Sequence, residues 1–404
     1  MSSPRLKIGN LVATTPQGLA GDLVHAGEYH FTYDAAARDE AEISLLMPLR
    51  AQQYTSPFLF PLFQMNLPEG YILEQLRNKF AKASRFDPML MLALTGQRSA
   101  IGRVSLHAPE IQTGEEEPVP LSTLLAKEGT EDLFHSLTQR YLERTGISGV
   151  QPKLLVPAAE PIFGKAAVAT SELIVKAAGD EYPGLPVNEF ICMSIAKEVG
   201  IPVPEFFLSE DHKRFIMRRF DRTEGGRSLG FEDMAVLTNR AADDKYEGSY
   251  TQIAKAIGLF CTAENANRSR AQYFDQVALS CMLGNGDAHL KNFGLLYTHP
   301  SAGDATLSPA YDIVCTTCYI PEDSMALRMM GTQEFFRARA DMAEFGETVC
   351  GVPNARQRLF ELAEVANTVL DRYAGLAQEV PRLRESLTHG IEQFANTYGN
   401  DRDR

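Results

Sequence analysis

Between residues 107 and 120 the chain reads HAPEIQTGEEEPVP, and neither the alternation of a strand nor the periodic apolar face of a helix survives across it. Prolines, a glycine and three consecutive glutamates favour an exposed connection over a buried element. A domain boundary is therefore expected there. The chain's length agrees, because 404 residues exceed the roughly 250–300 at which single cores stop growing. Before the break, short strands with turn punctuation (GNLVATTPQGLAGDL, FTYD, ISLLMPL) lead into a helical stretch, GYILEQLRNKFAKAS. From about residue 145 the pattern becomes strands (LLVPAA, SELIVKAA), a helix in NEFICMSIAKEVG, and a hairpin of FFLSE with RFIMRRFD. Beyond about residue 250 the chain reads as mostly helical and ends in two amphipathic helices, around 353–377 and 381–397.

Composition narrows the class. With 44% hydrophobic and 23% charged residues the chain is an ordinary globular one, and no apolar run approaches the roughly 20 residues of a membrane span. The start, MSSPRLKIGNLVATTPQG, lacks the basic and apolar regions of a secretory signal, so a cytoplasmic location is expected. The net charge of −13 argues against a nonspecific nucleic-acid binder acting alone and accommodates a basic partner more easily. Of six cysteines, Cys315 and Cys318 form the one C-x-x-C pair. No second pair or nearby histidine completes a zinc set, so buried thiols are expected.

Three segments carry candidate chemistry, in an order that suits nucleotide phosphoryl transfer. In TGISGVQPK, residues 145–153, Gly146, Ser148 and Gly149 would let backbone N–H groups approach phosphate, with Lys153 adding charge. The spacing matches neither G-x-x-x-x-G-K-[ST] nor G-x-G-x-x-G, and an ordinary turn is the competing reading. Lys176 ends the apolar strand SELIVKAA. It reads either as a lysine reaching solvent or as a phosphate-contacting strand lysine paired with a helical carboxylate, for which Glu189 is the candidate. In NGDAHLKNFG, residues 285–294, Asp287 and Asn292 repeat the Asp-to-Asn interval of a kinase catalytic loop, and Asp312 in SPAYDIV adds a second hard oxygen ligand. Lys291 would bring charge near a transferred phosphate. His289 either orients the loop or contacts nucleotide.

Together these segments resemble the HipA family, the toxin kinases of bacterial toxin–antitoxin pairs. SGVQPK looks like its glycine-rich loop, NGDAHLKNF its catalytic loop, AYDIV its metal-binding segment and FIMRRFDR its hinge. NEFICMSIAKEVGIPVP looks like the helix after its nucleotide lysine, and ISLLMPLR and NLPEG bring in the N-terminal module, so the likeness runs from roughly residue 5 to 375. The resemblance implies an α+β, HipA-like kinase fold. Residues 1–106 would form a small β-rich N-terminal subdomain and 107–124 a linker. Residues 125–250 would form a mixed α/β nucleotide-binding lobe with the glycine-rich loop, and 251–404 an α-helical lobe with the catalytic and metal-binding loops.

By the same resemblance Asp287 would be the catalytic base, with Asn292 and Asp312 holding Mg2+. Lys176 would touch the ATP phosphates, and Ser148, Gly149, Val150, Gln151, Pro152 and Lys153 would cover them. Arg218, Arg219 and Phe220 would form the hinge around adenine through backbone atoms, with Arg218 standing where the best-known branch has glutamate. His289 and Lys291 would sit beside the phosphates, and Tyr311 beside Asp312 at the nucleotide. Family members phosphorylate serine (or threonine) in proteins, and characterised branches inactivate aminoacyl-tRNA synthetases. They also autophosphorylate on a loop serine. Here the family's Ser-x-Ser reads Gly146-Ile147-Ser148, leaving Ser148 as the loop candidate, where phosphate would repel ATP. The implied partner is a helix-turn-helix antitoxin of the HipB type, with DNA reached only through it. Two rivals remain at this stage: a small-molecule phosphotransferase, and a catalytically idle corepressor or scaffold.

Overall fold

Alternating burial along the first strands sets one face of a sheet against a core. In the computed structural model, which describes residues 8–80, 87–97, 100–111, 117–127, 130–142, 151–161, 168–179 and 181–399, β1 (Asn10–Thr15), β2 (Gly18–Ala26), β3 (Glu28–Tyr33), β4 (Tyr54–Ser56) and β5 (Ser105–His107) form this sheet in the order β4-β3-β2-β1-β5. All its pairings are antiparallel. Leu11, Leu23 and Phe31 point inward onto Phe63 and onto the buried helix Pro88–Thr95, whose first turn is capped by Asp87 accepting from the Leu90 N–H at 3.0 Å. The helix α1 (Gly70–Phe80) leaves this module toward the second sheet, burying Ile72 and Leu76 in a core with Leu154 and Val175.

One expected strand is a turn. ISLLMPL, at residues 43–49, contributes only an isolated bridge between Ser44 and Met47. Side-chain carboxylates take the groups a ladder would use: Glu232 accepts from the Ser44 hydroxyl (2.6 Å) and the Leu45 N–H (2.8 Å), and Glu42 accepts from the Leu49 N–H (2.7 Å).

The second sheet contains β6 (Val119–Pro120), β7 (Lys153–Pro161), β8 (Val168–Ala177), β9 (Phe206–Leu208) and β10 (Arg214–Arg218), in the order β6-β7-β8-β10-β9. The register of β7 and β8 sets Lys153 directly opposite Lys176. On one face lies α2 (Leu185–Glu198), entered through Gly184 at φ +72° and Pro186, the glycine supplying a backbone conformation that most side chains resist. Its buried residues Val187, Ile191 and Ile195 share one core with Phe215 and Met217 of β10 and with the helices beyond.

Those helices are α3 (Tyr250–Phe260), α4 (Ala263–Met282), α5 (Ala355–Arg372) and α6 (Leu383–Tyr398), together with Phe335–Glu344. A Ser249/Gln252 capping box starts α3. Gly390 lets α6 pass close to the end of α4, since a Cβ there would lie 2.0 Å from the Met282 carbonyl oxygen. A third, antiparallel sheet pairs β12 (Gly294–Tyr297), at the exit of the candidate catalytic loop, with β11 (Gly230–Asp233) from before the loop and β13 (Thr306–Leu307) from after it.

The N-terminal module is joined to the rest by buried polar groups. Glu232 on β11, fully buried, accepts from Ser44 and Leu45 of the module and from the Tyr297 hydroxyl at 2.5 Å. Asp221 accepts from the Gly102 N–H at 2.7 Å, and Arg219 donates to the Ala100 carbonyl at 2.7 Å. Glu232→Ala leaves three donors without their acceptor and should cost about 3 kcal/mol or more. Urea denaturation checks this as a lowered midpoint at unchanged slope; an unmoved midpoint would show that the joint contributes nothing.

Candidate active site

Two lysines facing each other across an antiparallel pair repel, the more so when buried. Lys153 and Lys176 are both nearly inaccessible, at 5% and 3% exposure. What makes the arrangement tenable is a pair of carboxylates from other elements. The Lys176 ammonium lies 2.5 Å from Glu189 on α2 and 2.6 Å from Asp312. Burial opposes the Lys176 charge, but Asp312 and Glu189 outweigh it and hold its pKa above the ordinary value. Burial likewise acts against the Asp312 charge, and Lys176 and Lys153 reverse it, holding that carboxylate well below its usual range. Glu189 goes the other way, pushed up to about 7 by burial, with the Asp312 charge adding to the rise and Lys176 opposing it. The same helix fixes the Asp312 segment: the Asn188 side chain donates to the Cys315 carbonyl and accepts from its N–H, both at 2.8 Å.

Asp312 itself has φ +61°, a left-handed conformation in which aspartate is among the few tolerated side chains. One of its oxygens meets Lys176 and the other accepts from the Asn292 amide at 3.3 Å. Tyr311 donates its hydroxyl to the Lys291 carbonyl at 2.7 Å, locking this segment to the catalytic loop. Within that loop the His289 N–H donates to the Asp287 carbonyl and to the Asn292 side-chain oxygen, so the backbone between Asp287 and Asn292 closes into a tight turn. The Asn285 side chain accepts from the Asp287 N–H at 3.0 Å, and Thr316 accepts from the Gly286 N–H at 2.8 Å. Gly286 has no room for a side chain, because a Cβ would sit 2.1 Å from Asp323.

The Asp287 side chain is about half exposed and accepts a hydrogen bond of 2.6 Å from the Tyr246 hydroxyl. Burial of its surroundings raises its pKa, against the lowering effect of that hydrogen bond. His289 is buried beside it, 3.9 Å away and edge-on to Tyr246. Burial, with Lys245 and Lys291 nearby, lowers its pKa to about 3, so the imidazole is neutral at pH 7.

These groups line one cavity of about 970 Å³, shared by Lys153, Lys176, Asp287, His289, Lys291, Asn292, Tyr311 and Asp312. Gln151 and Pro152 line it too, with Gln151 donating to the Ala177 carbonyl at 3.3 Å. Its apolar end is an aromatic cluster in which Phe220 lies 5.2 Å from Tyr311 and 5.3 Å from Phe231. Arg219 lines the wall, but its guanidinium is engaged with Glu172 at 2.9 Å and Asp221 at 2.6 Å. Arg218 is not among the lining residues, and its side chain pairs with Glu205. Ser148, Gly149 and Val150 lie outside the described residues. All six cysteines are free and buried, including Cys315 and Cys318.

Several wall residues carry no sequence signal of their own. Glu69, from the N-terminal module, accepts from Lys291 at 2.7 Å and lies 3.6 Å from Lys245. Tyr246 and Asp233 also face the cavity. Glu69 lies in NLPEG, a segment already noted for its resemblance, although its contact with the catalytic loop joins positions 222 residues apart. Nothing in the sequence around Tyr246 points to Asp287.

Chemically, the site combines buried cations, a carboxylate held ionised and a half-exposed carboxylate beside them. Among the described residues, no cluster of three or more His, Cys, Asp or Glu could hold a metal unaided. Asp312 offers a carboxylate to a hard cation that takes its other oxygens from phosphates and water, while Asn292, whose amide nitrogen faces Asp312 and whose oxygen accepts from His289, would have to turn to add its own.

Comparison with known proteins bears on the family and the fold. The model of the HipA-like C-terminal domain matches residues 145–373, and that of the HipA N-terminal domain matches residues 11–107. The Sinorhizobium fredii protein named "Putative kinase Y4dM" is 31% identical over 293 residues, covering 68% of this chain and 66% of its own. A Haemophilus influenzae protein named "Putative kinase" is 31% identical over 234 residues, covering 50% and 66%. The chain thus spans just under two thirds of the length of each. The "Serine/threonine-protein kinase toxin HipA" of Shewanella oneidensis is 26% identical over 199 residues, 44% of each chain. A solved complex of Shewanella oneidensis HipA, HipB and operator DNA includes a chain that superposes with a TM-score of 0.66 at 18% identity, covering 96% of both chains. That match supports the same α+β, HipA-like kinase fold. With both family domains matched in order along its length, the chain belongs to the HipA family.

Proposed function

We propose that the chain is a protein kinase that transfers the γ-phosphate of ATP to a serine or threonine hydroxyl. The observation that carries this reading is the meeting of Lys176, Asp312, Asn292 and Asp287 around one cavity, with Glu189 buried behind Lys176. The names of the relatives support it. Lys176 and Lys153 meet phosphate charge, while Glu189 holds Lys176 in place. Phe220, Phe231 and Tyr311 offer an apolar, aromatic end to the base, with the Arg218–Phe220 backbone as hinge. Asp287 accepts the proton of the acceptor hydroxyl. Asn292 and Asp312 would hold a magnesium ion, which when bound neutralises charge on the β- and γ-phosphates.

Ser148 is the proposed autophosphorylation site in the glycine-rich loop. The proposed partner is a helix-turn-helix antitoxin of the HipB type, in line with the complex that the fold resembles, and the proposed substrate class includes aminoacyl-tRNA synthetases. A cavity wall that includes Glu69 and other residues of the N-terminal module favours a protein acceptor over a small molecule, which would not require that module. An idle corepressor would have no use for a buried lysine held between a buried carboxylate and a partly buried one at this cost.

Incubating the purified chain with labelled ATP and magnesium should transfer label to itself or to a protein of a cell lysate. No transfer to either would sink the kinase reading. Asp287→Asn should lower transfer about 10³-fold while leaving nucleotide binding intact, as read by parallel turnover and ATP titration; unchanged turnover would remove Asp287 as the base. The pH profile follows from the charges. Asp287 works ionised and its pKa lies above the ordinary 3.8, so kcat/KM should fall on acidification through that raised value. His289, neutral above about 3, should add no step between pH 5 and 8. A profile of His289→Gln that differs in shape from the parent's would contradict this.

A further inference from the structure

The residues that bracket Asp287 come from three places in the chain and meet at one carboxylate. Glu69 of the N-terminal module accepts from Lys291 of the catalytic loop at 2.7 Å and lies 3.6 Å from Lys245. Lys245 precedes Tyr246, whose hydroxyl donates to Asp287 at 2.6 Å. The two segments are also tied directly, the Leu290 N–H donating to the Lys245 carbonyl at 3.1 Å. Lys291 is almost wholly buried, and the side chains of Lys245 and Glu69 are mostly so, at 14% and 25% exposure. Screening is therefore weaker here than for surface pairs.

We propose that Glu69, through Lys245 and Lys291, and Tyr246, through its hydroxyl, are positioning residues that hold Asp287 for proton acceptance, so that the N-terminal module completes the catalytic unit. The proposal rests on the kinase reading above. Tyr246 fills one hydrogen-bonding direction of one Asp287 oxygen, fixing the carboxylate's rotation and leaving the rest of the group to the acceptor hydroxyl. Glu69 fixes the spacing between the segment that bears Tyr246 and the one that bears Asp287. The same carboxylate draws Lys291 toward the N-terminal module, and so sets where that charge stands beside Asn292. Neither residue needs to touch the reacting atoms.

The experiment uses the full chain and follows ATP turnover and transfer to protein. Tyr246→Phe should lower kcat about tenfold, leave KM for ATP within about twofold, and move the acid limb of the pH profile upward, because the lost hydrogen bond favoured the ionised carboxylate. Glu69→Gln should lower kcat similarly, Glu69→Asp should recover part of it, and the Glu69→Gln/Tyr246→Phe double variant should lose less than the product of the single effects. A thermal midpoint for each variant separates these effects from loss of fold, and Lys245→Met gives an independent break in the same chain of contacts. Strictly multiplicative losses, or an acid limb that stays in place in Tyr246→Phe, would overturn the proposal while leaving the kinase standing. No ATP turnover or transfer by the unaltered chain would remove both.

Discussion

The site depends on one cation shared by two carboxylates. Lys176, on a central strand, sits between Glu189 of α2 and Asp312 of the loop after the third sheet. Removing either anion would leave one carboxylate to offset two facing lysines, and removing Lys176 would leave Asp312 and Glu189 to repel each other. The arrangement is worth keeping only if the charges have work to do, since apolar residues of similar size would pack there at lower cost. It also sets the relative position of sheet, helix and loop by electrostatics in a low-dielectric setting, where small displacements cost more than they would in water.

A second set of buried polar groups does the same for the N-terminal module. Glu232, Asp221 and Arg219 satisfy backbone and side-chain groups around residues 44–45 and 100–102. Asp221 is held down at about 2, with Arg219 and Arg222 overcoming its burial. Hydrogen-bonded joints of this kind specify one orientation, whereas an apolar contact tolerates sliding. The module's reach into the cavity through Glu69 follows from that fixed orientation.

Much of this was legible in the sequence because the key residues sit in short segments whose chemistry is local. The Asp287-to-Asn292 interval and the lysine ending an apolar strand are visible without a structure, and so is Glu189 in the next helix. Contacts between distant segments were not visible. Glu69 with Lys291, Tyr246 with Asp287, and Glu232 with Ser44 join positions whose proximity is decided by docking of whole elements. ISLLMPL failed for a related reason: its short apolar run resembles a strand, but the carboxylates of the neighbouring Glu42 and the distant Glu232 take its N–H groups. The small sheet of β11, β12 and β13 was hidden because its strands are only two to four residues long and two of them lie within a stretch dominated by helices.

The placement of α2 limits how the cavity can open. Its apolar face belongs to the same core as α3, α4, α5 and α6, while Glu189 and Asn188 hold the sheet lysine and the Cys315 segment. The helix therefore travels with the helical lobe, and a hinge that parted the two would have to break a continuous apolar core. Phe215 and Met217 of β10 belong to that same core, so the strands that carry Lys176 are tied to α2 as firmly as the helices are.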